Sequence, residues 1–255
     1  MRRITAAMIM IKKILLTGVS CFGFLLLLNC EQSRLTASEI VTNACEAHGG
    51  LDKWQQLKTL EFNKSTALFF DDGSVESDVN QSQSFTFSSK PNYRIAFKQD
   101  TSTISLIYDN GYVHKRVNGF VESDSTQLES AKSSLMAALY VISQPFALLD
   151  DAVELTRVDD LEIDGKSLYA VRARYPDDGP DSDKWTYYFD QNDFTLLFNK
   201  VELTDHTSWI ENLTFDDYTG IKFNAHRTSY RLDEDGNKTY LRAEYYYRNF
   251  KATYR

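Results

Sequence analysis

The chain has 255 residues, with 28 lysines and arginines against 36 aspartates and glutamates, which gives a net charge of −8 at neutral pH. This charge argues against nucleic-acid binding and against electrostatic attachment to anionic lipid, because both need a basic surface. With 42% hydrophobic and 13% aromatic residues, the composition suits a large core in one all-β domain.

The N-terminus has the pattern of an export signal. Four basic residues precede an apolar run over residues 14–28: Arg2, Arg3, Lys12 and Lys13. Cys30 follows the run, an arrangement that resembles the lipobox of bacterial lipoproteins, in which the cysteine is acylated and begins the mature chain. Without the four residues, 24 basic residues of the 28 remain against 36 acidic ones, a net charge of −12. We predict a signal peptide at residues 1–29 and a covalent lipid anchor at Cys30.

Two other interpretations of this segment are weaker. An uncleaved membrane anchor would need ~20 apolar residues, and the run is shorter than that. Cys21 is a rival cleavage site, but it leaves a shorter apolar run and a poorer lipobox. With Cys30 acylated, Cys45 is the one free thiol, so no internal disulfide forms, and we expect Cys45 to be a buried, inert thiol.

Two short helices are predicted after a polar tether at residues 30–35. Thr36 and Glu39 have the spacing of a capping box, in which each side chain hydrogen-bonds the backbone of the other residue. Four small or apolar residues then fall on one helix face: Ile40, Val41, Ala44 and Cys45. The glycines at 49–50 end this helix, and a second helix is predicted over residues 51–57, with Trp54 facing inward.

From Thr59 onward the pattern changes to short segments rich in aromatic and β-branched residues. Within each segment apolar and polar residues alternate, which is typical of antiparallel strands with one buried face. Tight turns are predicted between them at residues 71–73, 110–111, 118–119 and 233–236. The pattern predicts about 11–12 strands in a single domain covering residues 36–255.

One long helix interrupts the strands. Residues 126–144 contain no glycine or proline, and six residues form an apolar stripe along one side: Leu128, Ala131, Leu135, Ala138, Leu139 and Ile142. Pro145 ends this helix. The apolar run at residues 146–149 is expected to be exposed or to act as part of a lid.

A meander of this many antiparallel strands twists and curls, so one face becomes concave. We therefore predict a mainly β (α+β) fold, an open, strongly curved antiparallel half-barrel with two or three helices as lid or plug. Either side chains fill the concave face or a ligand does. The candidate lining residues are the large apolar residues at inward positions: Phe62, Leu68, Phe85, Phe87, Ile95, Phe97, Leu106, Tyr108, Leu135, Leu139, Phe146, Tyr169, Val171, Trp185, Tyr187, Phe189, Tyr245 and Tyr247.

Four segments resemble, in the same order, landmarks of the LolA/LolB superfamily of periplasmic lipoprotein carriers and outer-membrane receptors. They are Lys-Pro-Asn-Tyr-Arg at 90–94, Tyr-Asp-Asn-Gly-Tyr-Val at 108–113, Gln-Pro-Phe-Ala-Leu-Leu at 144–149 and Lys-Trp-Thr-Tyr-Tyr-Phe-Asp at 184–190. The resemblance implies an unclosed β-barrel whose helices cover an apolar cavity that holds acyl chains. It also implies a contact between Lys90 and the lid, although lysine lacks the planar fork of arginine.

Two segments depart from the soluble carriers. Residues 215–226 have the pattern of an additional hairpin. The Ala-His-Gly-Gly stretch at 47–50, followed by Trp54, is more similar to uncharacterised bacterial lipoproteins of the same superfamily. The resemblance therefore implies the fold more strongly than it implies one particular role.

The polar residues favour no catalytic or metal site. The four histidines lack metal-ligand spacing: His48, His114, His206 and His226. His48 stands at a helix end, where a cation favours the carbonyl groups. Three aspartate pairs, at 159–160, 177–178 and 216–217, are interpreted as solvated turns, because adjacent strand residues point to opposite faces. No nucleophile elbow or phosphate loop is present, so we expect no catalytic residue, metal or cofactor.

The first functional hypothesis is a non-enzymatic lipoprotein on the periplasmic side of the bacterial envelope, anchored through Cys30, most reasonably in the outer membrane. It would bind lipid or a lipoprotein acyl chain, as a monomer and without nucleic acid, in lipoprotein sorting or transport. The alternative is a structural or interaction lipoprotein whose barrel is filled by its own side chains. An envelope hydrolase is the third and weakest hypothesis, since it needs facing carboxylates.

Overall fold

Helices occupy a small part of the fold, which a large antiparallel sheet dominates. The computed structural model describes residues 34–176, 179 and 182–255, so the predicted signal peptide, Cys30 and the pair at 177–178 lie outside the described residues. The helices described are α1 (Ala37–Ala47), α2 (Leu51–Gln56), α3 (Ser125–Ile142) and a short 3-10 helix (Phe146–Leu149). None of these helices is long and apolar enough to cross a membrane.

The described part of the chain contains fourteen strands in one sheet. Their bounds are β1 (Leu57–Phe69), β2 (Val75–Thr86), β3 (Asn92–Gln99), β4 (Ser102–Asp109), β5 (Tyr112–Val117), β6 (Phe120–Val121), β7 (Glu154–Arg157), β8 (Leu161–Ile163), β9 (Lys166–Arg174), β10 (Lys184–Asp190), β11 (Leu196–Glu202), β12 (Thr207–Asp216), β13 (Phe223–Leu232) and β14 (Lys238–Tyr254). The count exceeds the predicted 11–12 because β6 and β8 have two and three residues, too few for an alternation pattern.

The sheet is open. Its strand order is β6-β5-β4-β3-β2-β1-β14-β13-β12-β11-β10-β9-β7, with β8 paired to β9, and all these pairings are antiparallel. The edge strands β6 and β7 do not pair with each other among the described residues. The first and last strands, β1 and β14, lie side by side in the interior of the sheet. The predicted curved, unclosed half-barrel is confirmed.

Helix α1 follows its sequence pattern closely. Thr36 caps the helix, and its hydroxyl accepts from the Glu39 amide at 3.2 Å while the Glu39 carboxylate accepts from the Thr36 amide at 2.8 Å. The predicted apolar face is fully buried in the main core. Gly49 ends the turn at φ +114, and a side chain there would bring a Cβ within 2.5 Å of the Gly220 carbonyl oxygen. Only glycine fits that close approach.

Helix α3 is slightly shorter than predicted, and the segment after it differs from the prediction. The apolar run at 146–149 is not exposed: Phe146 and Leu148 are 4% and 0% exposed. Phe146 stacks on Trp54 of α2, with ring centroids 4.8 Å apart. The run is buried because it forms the 3-10 helix and packs against α1 and α2 in the core.

Candidate functional site: the concave face of the sheet

The predicted lining residues lie together on the concave side of the sheet and on the helices packed there. All of them except Leu68 belong to two apolar clusters. The larger cluster joins α1, the 3-10 helix and the strands from β9 to β2 through β14. The smaller one joins α3 to β3 and β4. A third cluster around Tyr188 and Trp209 covers the opposite face.

Part of this concave face is filled by the protein itself. Several predicted lining residues are almost completely buried: Phe85, Leu135, Val171, Tyr187 and Phe189. They pack against α1, α3 and the 3-10 helix, so they form core. Eight others are only half-buried: Phe87, Tyr108, Tyr169 and a set of five, Leu68, Phe97, Leu139, Trp185 and Tyr245. We call these five the accessible concave residues.

Three tyrosines join α3 to the sheet at this face. The Tyr140 hydroxyl contacts the hydroxyls of Tyr175 and Tyr187, which are 3.0 Å from each other. Burial raises the pKa of Tyr187, opposed by the charge of Arg227. Tyr140 also packs edge-on against Trp185, with centroids 5.8 Å apart. These contacts fix the C-terminal end of α3 at β9 and β10.

A buried polar network runs beneath the tyrosines. The Arg227 Nε donates to the Asn212 Oδ1 at 2.8 Å, and the Asn212 Nδ2 donates to the Asn199 Oδ1 at 3.1 Å. The Asn199 Nδ2 in turn donates to the Gln144 Oε1 at 3.3 Å. Within the described residues the buried Gln144 Nε2 makes no hydrogen bond. The network therefore places a charged guanidinium on a face that the sequence pattern predicted to be apolar.

A second cation lies beside Arg227. The Lys64 Nζ sits 5.0 Å from the Tyr245 ring centre and 5.6 Å from that of Tyr247. Burial alone would raise the pKa of Tyr247, but the charges of Lys64 and Arg227 outweigh it and hold this pKa below its ordinary value. Sequence reasoning missed both cations. The signal was present, because Lys64 and Arg227 occupy inward positions in phase with Phe62 and Phe223.

His48 has a structural role, but the expected charge is wrong. It is 2% exposed, its Nδ1–H donates to the Lys222 carbonyl at 3.0 Å, and its Nε2 accepts from the Leu196 amide at 3.1 Å. Burial lowers the pKa of His48 to about 4, and the charge of Lys222 lowers it further. The hydrogen bond to the Lys222 carbonyl and the charge of Asp193 oppose this shift. The imidazole is therefore neutral and bridges α1 to β11 and β13.

The remaining polar predictions fall outside the concave face. Lys90 is exposed in the β2–β3 turn, and its backbone hydrogen-bonds Ser88; its contact with a lid stays a prediction. Asp160 pairs with Arg157 at 2.7 Å in the β7–β8 connection. Burial raises the pKa of Cys45 to about 12, helped by Glu46, so its thiol is inert as expected. In the described ranges no group of three histidine, cysteine or acidic side chains could hold a metal.

Two grooves on the other face of β1–β3 are polar. They measure roughly 790 and 620 Å3, and asparagine, serine and lysine side chains such as Asn63, Ser82 and Lys98 line them. These two grooves therefore do not suit a hydrocarbon chain.

The architecture is the LolA-like fold. No protein-family model and no curated protein matches the sequence. Among solved structures, a LolA superfamily protein from Nitrosomonas europaea is similar, with a TM-score of 0.53 at 11% identity over 86% of this chain and 94% of that one. A DUF1329 family protein from Desulfovibrio piger gives 0.54 at 10% identity over 86% and 94%. An outer membrane lipoprotein-sorting protein domain from Vibrio parahaemolyticus gives 0.51 at 11% identity over 84% and 91%.

Proposed function

We propose that this chain is a non-enzymatic lipoprotein of the bacterial envelope that binds a lipid or a lipoprotein acyl chain on its concave face. The observation that carries the proposal is the set of accessible concave residues, whose large apolar side chains are only half-buried. Burying each methylene group there would contribute ~0.8 kcal/mol. Ten methylenes would contribute about 8 kcal/mol before the cost of association is subtracted. A fold shared with a lipoprotein-sorting domain supports the same role.

The binding test uses the full chain with Cys30→Ser, which removes only the acylated thiol. Displacement of a fluorescent fatty acid measures affinity, and Leu68→Ser should weaken it about tenfold by removing apolar contact area. Leu213→Ser is the matched control, because Leu213 lies on β12, is exposed and is not one of the accessible concave residues. Absence of uptake in the parent protein, or equal loss in both variants, would refute the role.

Anchoring is tested separately. We propose that the chain faces the periplasm and is held in the outer membrane through acylated Cys30. Cells fed radiolabelled palmitate should label the full chain and not its Cys30→Ser form, and the label should fractionate with outer membrane. Label that persists in Cys30→Ser would place the acyl group elsewhere.

The second candidate function is a structural or interaction lipoprotein without a ligand. The nearly complete burial of residues such as Phe85, Tyr187 and Phe189 favours it, because protein atoms already occupy that part of the concave face. Native mass spectrometry of the Cys30→Ser chain separates the two. Co-purified lipid or fatty-acid uptake supports binding, and a bare mass that stays unchanged with added fatty acid supports the structural role.

A further inference from the structure

Three cations converge on the concave face. Lys64 of β1 lies opposite Tyr247, and Arg227 of β13 lies opposite Tyr245, so one row of paired strands brings both to the same region. Arg231 lies four residues further along β13, in phase with Arg227, and the charges of both arginines act on Tyr245. We call Lys64, Arg227 and Arg231 the cationic trio.

None of the trio forms an ion pair with a carboxylate among the described residues, whereas other cations of this acidic chain do. Lys200 pairs with Glu202 at 3.0 Å, and Lys238 pairs with Glu211. Arg227 is only 4% exposed, and a buried cation without a counter-ion is costly. Its side chain hydrogen-bonds Asn212 and Tyr247, and neither partner is a carboxylate that would neutralise the charge.

The positive charges of the trio affect the pKa values of the neighbouring tyrosines. Burial, with a smaller effect of Tyr247, raises the pKa of Tyr245 above its usual value, and the charges of Arg227, Arg231 and Arg242 oppose that rise. The pKa of Tyr247 falls below its usual range despite burial, because Lys64 and Arg227 favour its anion. No carboxylate contributes to either shift. The local potential favours an anion, and apolar surface lies next to it at Leu68 and Phe97.

We propose that the cationic trio binds the anionic head group, a carboxylate or a phosphate, of an amphiphile whose acyl chain lies along the accessible concave residues. This inference rests on the proposed function and narrows the ligand to negatively charged lipids. The arginines supply forked donors suited to such an oxyanion, and Lys64 supplies a point charge. The ligand would provide the counter-charge that the protein itself does not place there.

The experiment compares two lipids that share one acyl chain, lysophosphatidic acid and monoacylglycerol, with inorganic phosphate as a third ligand. The protein is the full chain with Cys30→Ser, and displacement of a fluorescent fatty acid reports affinity. We expect lysophosphatidic acid to bind at least about tenfold more tightly than monoacylglycerol, and Lys64→Gln to remove about tenfold of that affinity while leaving monoacylglycerol unchanged. Phosphate at the same concentrations should not compete, because it lacks the chain.

Controls keep the outcome clear. Arg94→Gln removes an exposed cation with no carboxylate partner from the other face of β3 and should change nothing. Arg227→Gln tests the buried member. Lys64→Gln decides the matter if Arg227→Gln fails to fold, since Lys64 is only half-buried. Equal binding of both lipids, or an unaltered Lys64→Gln protein, overturns the inference alone. Binding of neither lipid overturns the proposed function as well. Competition by phosphate at equal concentration would refute binding of an amphiphile and would show that the site binds free anions.

Discussion

The neutral state of His48 predicts that the fold loses stability in mild acid. Its imidazole is buried and hydrogen-bonded through both nitrogens, and its pKa falls from an ordinary 6.5 to about 4. Protons bind the unfolded form more readily, so the contribution of His48 is complete above pH 6.5 and is lost as the pH falls towards 4. At 1.36 kcal/mol per pKa unit, the loss amounts to about 3 kcal/mol.

Urea denaturation at pH 7.5, 6.5, 5.5 and 4.5 measures this loss as a fall in the free energy of unfolding. The comparison is with His48→Gln, which cannot titrate and should be less stable at pH 7.5 by about 1–3 kcal/mol, because the two ring hydrogen bonds change. Other groups titrate in both proteins, so the difference between them isolates His48. The stability of the parent relative to His48→Gln should fall by about 2.5 kcal/mol between pH 7.5 and 4.5, so that the variant becomes as stable as the parent or more stable. A difference that stays constant over this interval refutes a buried neutral imidazole.

Three further predictions concern the core. Leu135→Ala, at 0% exposure in the cluster under α3, should cost about 2–5 kcal/mol in urea unfolding; a loss below 1 kcal/mol would mean that α3 is a loosely held cover. Cys45 should resist maleimide in the native protein at pH 8 and react at once in urea, and rapid native labelling would contradict its burial. Gly49→Ala should lower the melting temperature sharply because of the clash with Gly220. Gly73→Ala, which has a positive φ but open space around it, should be much milder, and equal effects would exclude the clash as the cause.

Features set by neighbouring residues were predictable from the sequence. The capping box of Thr36 and Glu39, the buried face of α1 and the alternation of the longer strands all depend on contacts within a few positions. The open curved sheet followed from many such strands and from the ordered resemblance. The half-buried apolar lining was expected for the same reason, because alternation assigns each residue to one face.

Features set by distant residues were not predictable in this way. The run at 146–149 looked exposed because nothing local shows that Trp54 would stack on Phe146. His48 looked like a helix-end cation, yet the amide of Leu196 and the carbonyl of Lys222 hold it neutral. Lys64 and Arg227 stand at inward strand positions in the sequence, but the alternation of apolar residues does not predict a role for cations there. Their proximity depends on β14 lying between β1 and β13.

The position of β14 also affects how the protein can acquire its structure. The first six strands and the strands from β7 to β13 form two halves of the sheet, and β14 is the strand that joins them. Because β14 follows both halves in the chain, neither half can complete its pairing until β14 has been synthesised. Such late, long-range closure slows folding. It also leaves the edges of β1 and β13 unpaired until β14 joins them, and unpaired strand edges can take up wrong partners.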